Sequence, residues 1–308
     1  MTIERISCAP GSGITEGINE DLVAVFETDG LLDLLVVDGA TSVADLDYVD
    51  TKIGDVAWFV QAFASQLGRT IDAARSQADS VRLAVNAVRR AYLDKAAGQE
   101  VPLYAHPLAA LSWIRIRQGS GDLDVSLYCL GDCKAFAIDA DGSVTDLDPY
   151  DNPFEMVVQD AVAQLSAQGV TDPVLRRQRL LPLLRARREA QHASPNPSVL
   201  CLAPQGEFSA REVAVRLAPD AAVLAMSDGF YRLADPYGLM SRDELVRRCR
   251  AEGLHQLMRE LRAFETARAG GGTLAVKNAD DASAIMWTPP APHIDRRDRT
   301  APTAEDQP

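Results

Sequence analysis

The sequence predicts an α+β fold, a sandwich of antiparallel sheets with helices packed on its outside. Three observations point there. Strand-like and helix-like segments come in blocks rather than in strict βαβ alternation, which favours antiparallel sheets. The two long helical patterns in the first third of the chain carry their apolar residues at helical intervals, so each lays one face on a sheet. Apolar residues make up 47% of the 308 positions and aromatics only 6%, which suffices for a core built mostly from Ala, Val and Leu.

Residues 2–9, 22–28 and 31–37 read as short strands separated by Gly-containing breaks. Residues 55–67 and 76–96 read as helices; the second places Val81, Ala84, Val85, Val88, Ala91 and Tyr92 on one side. Strands resume at 109–117, 124–130 and 134–138, with turn chemistry at 118–121 and 139–142, as in an antiparallel meander. Residues 153–192 look helical with interruptions at Pro173 and Pro182, and 194–198, with two prolines, end that insert. Strands at 199–203, 212–217 and 222–226 precede helices at 242–251 and 254–269, and a closing strand covers 282–287. Beyond Trp287 the composition turns to Pro, Asp, Arg and Thr. One domain over residues 1–288 with a disordered tail at 289–308 is the expected organisation. No solenoid repeat or heptad run is present.

Acidic residues outnumber basic ones 44 to 31, for a net charge of −13, a balance that repels nucleic acid unless a basic stripe compensates. The one candidate stripe, Arg176, Arg177, Arg179, Arg185, Arg187 and Arg188, would spread around a helix and reads as a solvated face. Five cysteines without a CxxC pair indicate neither a disulfide framework nor a zinc knuckle, and fit a reducing compartment. Residues 1–19 lack a basic start followed by an apolar run, and no stretch is long enough to span a bilayer, so the expectation is a cytoplasmic protein with no membrane partner. The four histidines, His106, His192, His255 and His293, are isolated and show no ligand spacing.

Four acidic sites sit where an apolar strand meets a turn: Val37-Asp38-Gly39, Gly131-Asp132-Cys133, Ser227-Asp228-Gly229 and, ahead of its strand, Asp280-Asp281-Ala282-Ser283. One such Asp alone is usually a turn former. If strands from distant parts of the chain pair in two sheets, their ends converge and these carboxylates share a cleft. Two of them about 4 Å apart repel by about 4 kcal/mol at an effective dielectric near 20, so the cluster needs protons or cations, and divalent cations are the simplest answer. Oxygen-only ligands suit Mg²⁺ or Mn²⁺ rather than zinc.

With Asn19-Glu20-Asp21 ahead of them, these motifs, in this order, resemble the metal-dependent PPM family of protein serine/threonine phosphatases, the protein phosphatase 2C type. The likeness covers most of the chain and leans towards the bacterial branch. It implies a four-layer fold, a β-sandwich flanked by helix pairs with two metal ions at one end and a variable flap at about residues 153–197. It implies that Asp38 bridges the ions, that the Gly39 carbonyl helps hold one, and that Asp228 and Asp280 complete the second ion's shell. Glu20 matches the acid that holds metal-bound water, and Asp132 a residue that in bacterial members can hold a third ion. Asp38 and Glu20 are thus the catalytic candidates. The implied reaction is hydrolysis of phosphoserine or phosphothreonine in a phosphoprotein by a metal-bridging water. Ser227 has no Gly-x-Ser-x-Gly elbow around it, which excludes a serine hydrolase.

Two departures stand out. Many family members place a phosphate-gripping arginine where this chain has Glu16, which leaves Arg232 and Lys277 as the nearest substitutes. Ala40-Thr41 replaces a glycine-rich turn after Asp38-Gly39. The competing readings are a catalytically weak or inactive module of the same fold that binds a signalling partner, and a structural domain whose aspartates only form turns.

Overall fold

The computed structural model describes residues 1–10, 18–28, 30–117, 121–268 and 279–290. Within them the chain forms two antiparallel sheets. The first runs β1 (Thr2–Cys8), β11 (Ala282–Thr288), β10 (Ala222–Met226), β6 (Lys134–Ile138), β7 (Val144–Asp146). The second runs β2 (Asp21–Thr28), β3 (Leu31–Gly39), β4 (Leu108–Arg117), β5 (Leu123–Leu130), β9 (Arg211–Leu217), and β8 (Leu200–Cys201) adds to the start of β4.

Period-two alternation sorts the core into layers. Leu34 and Val36 of β3 point between the sheets, where they meet Ile114, Leu127, Val223, Ile285 and Trp287. Leu35 and Val37 point the other way, against Phe59, Phe63, Val85 and Tyr92 of α1 (Asp55–Thr70) and α2 (Gln77–Lys95). The outer face of the first sheet, with Leu224, Met226 and Ala284, is covered by α6 (Arg242–Glu252) and α7 (Leu254–Arg268). Because β3 is packed on both faces, its sequence reads as a continuous apolar run. The exception is Asp33, fully buried on the helix side, whose carboxylate accepts from Trp113 Nε1 at 2.7 Å and Arg115 Nε at 2.8 Å.

The insert forms two helices, α3 (Pro153–Ala167) and α4 (Pro173–Ala193). The interruption expected at Pro173 is present and the one at Pro182 is not. Pro173 opens α4 behind the Asp172 cap, whose carboxylate accepts from Leu175 N at 2.7 Å, and a first-turn proline costs nothing because that N–H has no helical partner. Pro182 lies inside α4, which continues through it. The break covers 168–172, directly ahead of Pro173. The short β7 and the four-residue helix α5 (Asp228–Tyr231) fall below the length at which periodicity is visible.

Most of the arginine stripe on α4 is packed rather than solvated, Arg179 staying exposed. Segment 40–45 has no regular structure, so its carbonyls lack ladder partners, and α4 supplies them. Arg177 donates to Ser42 O at 2.8 Å, Arg185 to Val43 O at 2.9 Å, and Arg188 to Ala40 O at 2.8 Å and Thr41 O at 2.7 Å. Arg176 and Arg188 are buried, and burial pushes the Arg188 guanidinium down to about 10, still charged at neutral pH. α4 also presses His192 edge-on against His106, with ring centroids 5.5 Å apart and the His192 Nε2 3.2 Å from the His106 carbonyl.

Two outcomes follow from this packing. Asp33→Ala strands Arg115 in the interior and is expected to lower the unfolding free energy by roughly 3–5 kcal/mol, read from urea denaturation. Burial lowers the pKa of both histidines, His192 to about 4, against about 6.5 in an unfolded chain. Between those values the unfolded chain binds the extra protons, so the contribution of this pair to stability falls as pH drops from about 6.5 to 4. His192→Phe should flatten the change in urea midpoint across that window.

Candidate functional site

Strand register brings the acidic motifs to one end of the sandwich. In the second sheet Asp21 lies directly opposite Asp38, and Asp38 opposite Ala110, on the face that Val23 and Val36 turn towards the sheet interface. In the first sheet Met226 pairs with Ala284, so Ser227-Asp228 leaves β10 beside Asp280-Asp281 entering β11. Ser227 N donates to Ser283 O and Ser283 N to Ser227 Oγ, both at 2.9 Å. Asp132 sits in the turn that carries the chain from β5 in the second sheet to β6 in the first.

Two glycines permit this approach. A Cβ on Gly229 would stand 1.8 Å from the Asp281 carbonyl oxygen, so only glycine lets the Asp228 turn lie on the Asp280–Asp281 segment. A Cβ on Gly39 would stand 2.4 Å from the Glu20 carbonyl, to which Gly39 N donates at 3.1 Å.

The result is a cleft of roughly 190 Å³ whose lining includes Asp38, Gly39, Asp132, Asp228 and Asp280, together with Asn152, Arg187 and Gln191. All five of those expected site residues therefore meet at one opening. Asp38, Asp132 and Asp280 are half-buried and Asp228 is exposed at the mouth. Behind them Asp21 and Asp281 are buried, 7% and 8% exposed.

The electrostatics show the strain of this gathering. Burial, then the neighbouring Asp281, pushes the Asp21 carboxyl up to about 8. Among the described residues neither Asp21 oxygen reaches a hydrogen-bond partner, and the nearby hydroxyls of Ser227 and Ser283 offset only a fraction of the cost. Asp38 is raised well above the carboxylate range by burial and by Asp21, Asp228, Asp132 and Asp280 together. Asp228 keeps its solvent contact, yet desolvation by the protein packed around it, with Asp132 and Asp280, pushes it up to about 6 while Arg232 pulls the other way. Cys133, fully enclosed behind the same acids, is held as a thiol.

The remaining candidates are placed differently. The Glu20 backbone is fixed here, its N–H donating to Asp281 Oδ2 at 2.9 Å, but Glu20 does not line the cleft, and its charge acts on Arg188. The residue of that motif that enters the acid cluster is Asp21. Asn19 accepts from Asp21 N at 2.9 Å and donates to Ser7 Oγ at 2.7 Å, tying β2 to the first sheet. Arg232 is bound to Asp280 at 2.9 Å, so it neutralises an acid of the cluster. Glu16 and Lys277 lie outside the described residues, as does the expected tail beyond residue 290.

Asp21 shares the parity of Val23 and Val25 on β2, a signal that marks its face only once the inward side of that strand is known from its pairing with β3. Asn152, which donates to Asp132 Oδ2 at 2.8 Å and caps α3, and Arg187 had no sequence signal.

Among the described residues no three His, Cys, Asp or Glu side chains already stand as a ligand set, since Asp280 is turned to Arg232 and Asp132 to Asn152. The donor chemistry nevertheless fits hard divalent cations: oxygen-only groups, a carbonyl at Gly39, and carboxylates whose pKa values are raised by burial and then by one another. A larger hollow of roughly 310 Å³ on the outer face of the second sheet, lined by Arg115, Arg117, Asp124 and Arg216, offers no such imbalance, because Arg115 is paired with Asp33 and Arg216 with Asp124.

A buried acid with a folded pKa near 8 and an unfolded one near 3.9 takes up a proton on folding between those values. In the metal-free protein this acid's contribution to stability is therefore lost as pH rises from about 4 to 8. Asp21→Asn is expected to raise the melting temperature in chelator at pH 8, with little gain at pH 4, measured by thermal denaturation.

No protein-family model matches the chain, and no curated protein matches it by sequence. Solved structures do match. The serine/threonine phosphatase PstP/Ppp of Mycobacterium tuberculosis aligns over 94% of this chain and 98% of its own at 17% identity, with a TM-score of 0.50. The S. agalactiae serine/threonine phosphatase aligns over 93% and 99% at 11% identity and a TM-score of 0.51. A point mutant of a bacterial serine phosphatase aligns over 94% and 98% at 11% identity and a TM-score of 0.50. The two antiparallel sheets and seven helices described for this chain thus form the phosphatase 2C-like fold of these bacterial enzymes.

Proposed function

We propose that the protein is a metal-dependent protein serine/threonine phosphatase, acting on phosphoserine and phosphothreonine in a phosphoprotein partner. One observation carries the reading: four carboxylates, each from a strand end remote in sequence from the others, line a single cleft in a fold shared with such phosphatases. Asp38, the Gly39 carbonyl, Asp228 and Asp280 are the groups to hold two Mg²⁺ or Mn²⁺ ions, with Asp132 available to a third. Bound there, the ions would supply neutralisation of phosphoryl charge and a water acidified enough to act as nucleophile.

The chain's own residues do the positioning. Asn152 fixes one oxygen of Asp132. Arg232 holds Asp280 at the rim and tempers the acid field around Asp228. Asp21 and Asp281, behind the cleft, favour the charge of any cation in front of them. In the overall exchange a water oxygen bonds to phosphorus, the phosphorus–oxygen ester bond breaks, and a proton from water ends on the released serine or threonine hydroxyl. The α3–α4 pair would serve as the flap of a single catalytic unit over residues 1–288. A reducing cytoplasmic setting suits the five free cysteines, and no helix among the described residues is long and apolar enough to cross a membrane.

The rival reading, a module of this fold that binds a signalling partner without turnover, draws on the Arg232–Asp280 ion pair, which engages a candidate ligand. Hydrolysis of p-nitrophenyl phosphate and of a phosphothreonine peptide separates them. Turnover should require Mn²⁺ or Mg²⁺, vanish in chelator, and drop at least about a hundredfold in Asp38→Asn and Asp228→Asn. Turnover indifferent to chelator would overturn the phosphatase reading; cation binding without turnover would favour the rival.

A further inference from the structure

We propose that Arg187, carried on α4, is the side chain that grips the phosphoryl oxygens of the substrate, so that the α3–α4 pair builds part of the substrate site. The proposal rests on the phosphatase reading above and names the cationic group that reading leaves open.

Among the described residues that line the acid cleft, Arg187 is the only basic side chain. Its neighbours on α4 are engaged elsewhere: Arg177, Arg185 and Arg188 donate to carbonyls of segment 40–45, and across the cleft Arg232 is committed to Asp280. Among the described residues Arg187 makes neither a hydrogen bond nor an ion pair, and its guanidinium lies over the Phe154 ring, 4.6 Å from the centroid. Five N–H donors are therefore left for a ligand, on a side chain whose direction is already set.

That direction follows from the helix. Arg188 is pinned into the 40–41 carbonyls, which fixes the rotation of α4, and Gln191, one turn beyond Arg187, lines the same cleft, as residues four apart share a face. Phe154 sits two residues beyond Asn152, which caps α3 and is bonded to Asp132. The aromatic shelf under Arg187 is thus tied to the acid cluster itself. A stacked guanidinium loses less freedom on binding than a free lysine and can present two parallel N–H groups to a phosphate.

The ligand class follows from charge. Facing bare carboxylates, Arg187 meets acids whose own repulsion is unrelieved. Once cations neutralise them, the unmatched charge in the cleft is the guanidinium, and a phosphate monoester dianion supplies both the charge and the spare oxygens for its fork. Substrate would then bridge the metal end of the sandwich and α4.

The test uses the full chain loaded with Mn²⁺, comparing wild type with Arg187→Met, which keeps a stem over Phe154, and Arg187→Lys, which keeps the charge without the fork. Three readouts are taken: inorganic phosphate binding by calorimetry, the KM for p-nitrophenyl phosphate, and Mn²⁺ affinity with the melting temperature. R187M should weaken phosphate binding and raise KM roughly ten- to a hundredfold, the range of a lost charge-assisted bond, with Mn²⁺ affinity and melting unchanged. R187K should fall between, and gives the same reading should R187M fail to fold. Phosphate binding within about twofold of wild type in R187M overturns the proposal, as does a parallel loss of Mn²⁺ affinity, which would mark a structural role. If wild type binds phosphate through Arg187 yet shows no turnover, the proposal stands and the phosphatase reading falls.

Discussion

Mutual repulsion among the acids at one end of the sandwich is the constraint on which the site depends. Asp21 and Asp38 face each other across adjacent strands, and Asp228 and Asp281 approach from the other sheet. Like charges directly opposite in an antiparallel pair are unfavourable even at a surface. Here one of the pair is buried, with no hydrogen-bond partner for either oxygen among the described residues. The protein answers with carboxyl pKa values pushed upward at Asp21 and Asp38, an arginine at Asp280 and an amide at Asp132. Each is a partial remedy, and the acids remain crowded at the opening of the cleft.

That repulsion is held in place by a sandwich stable enough to bear it. The sheets bury Leu34, Val36, Ile114, Leu127, Val223, Ile285 and Trp287 between them, and helix pairs cover both outer faces. The strained acids sit only at the end of the layers, where strands give way to turns and the apolar cost of a polar group is smallest. The Glu20 N–H bond to the Asp281 carboxylate and the Asn19–Ser7 link tie the two sheets together at that end.

α4 shows how a charged helix can serve packing. Three of its arginines act as hydrogen-bond donors to an irregular segment that no strand could satisfy, and that segment begins right after Asp38-Gly39. The helix thereby buttresses the loop behind the cleft and presents Arg187 to its lumen. The departure at Ala40-Thr41 is accommodated in the same way, by guanidinium contacts to both carbonyls.

The amino-acid sequence by itself determined the layers and most of the acidic set. Alternating and helical periodicities are local, and Asp followed by a small residue at the end of an apolar strand is a local signature, so β3, β5, β10, α1, α2 and Asp38, Asp132 and Asp228 could all be read in place. The tertiary structure alone decided which side of the Asn19-Glu20-Asp21 motif faces the cluster, because that depends on the pairing of β2 with β3. It also decided that α4 is a packed helix and that Arg187, more than 140 residues from Asp38 in sequence, shares its cleft. Burial of a guanidinium against distant carbonyls leaves no trace in residue spacing; it exists only once the chain has closed on itself.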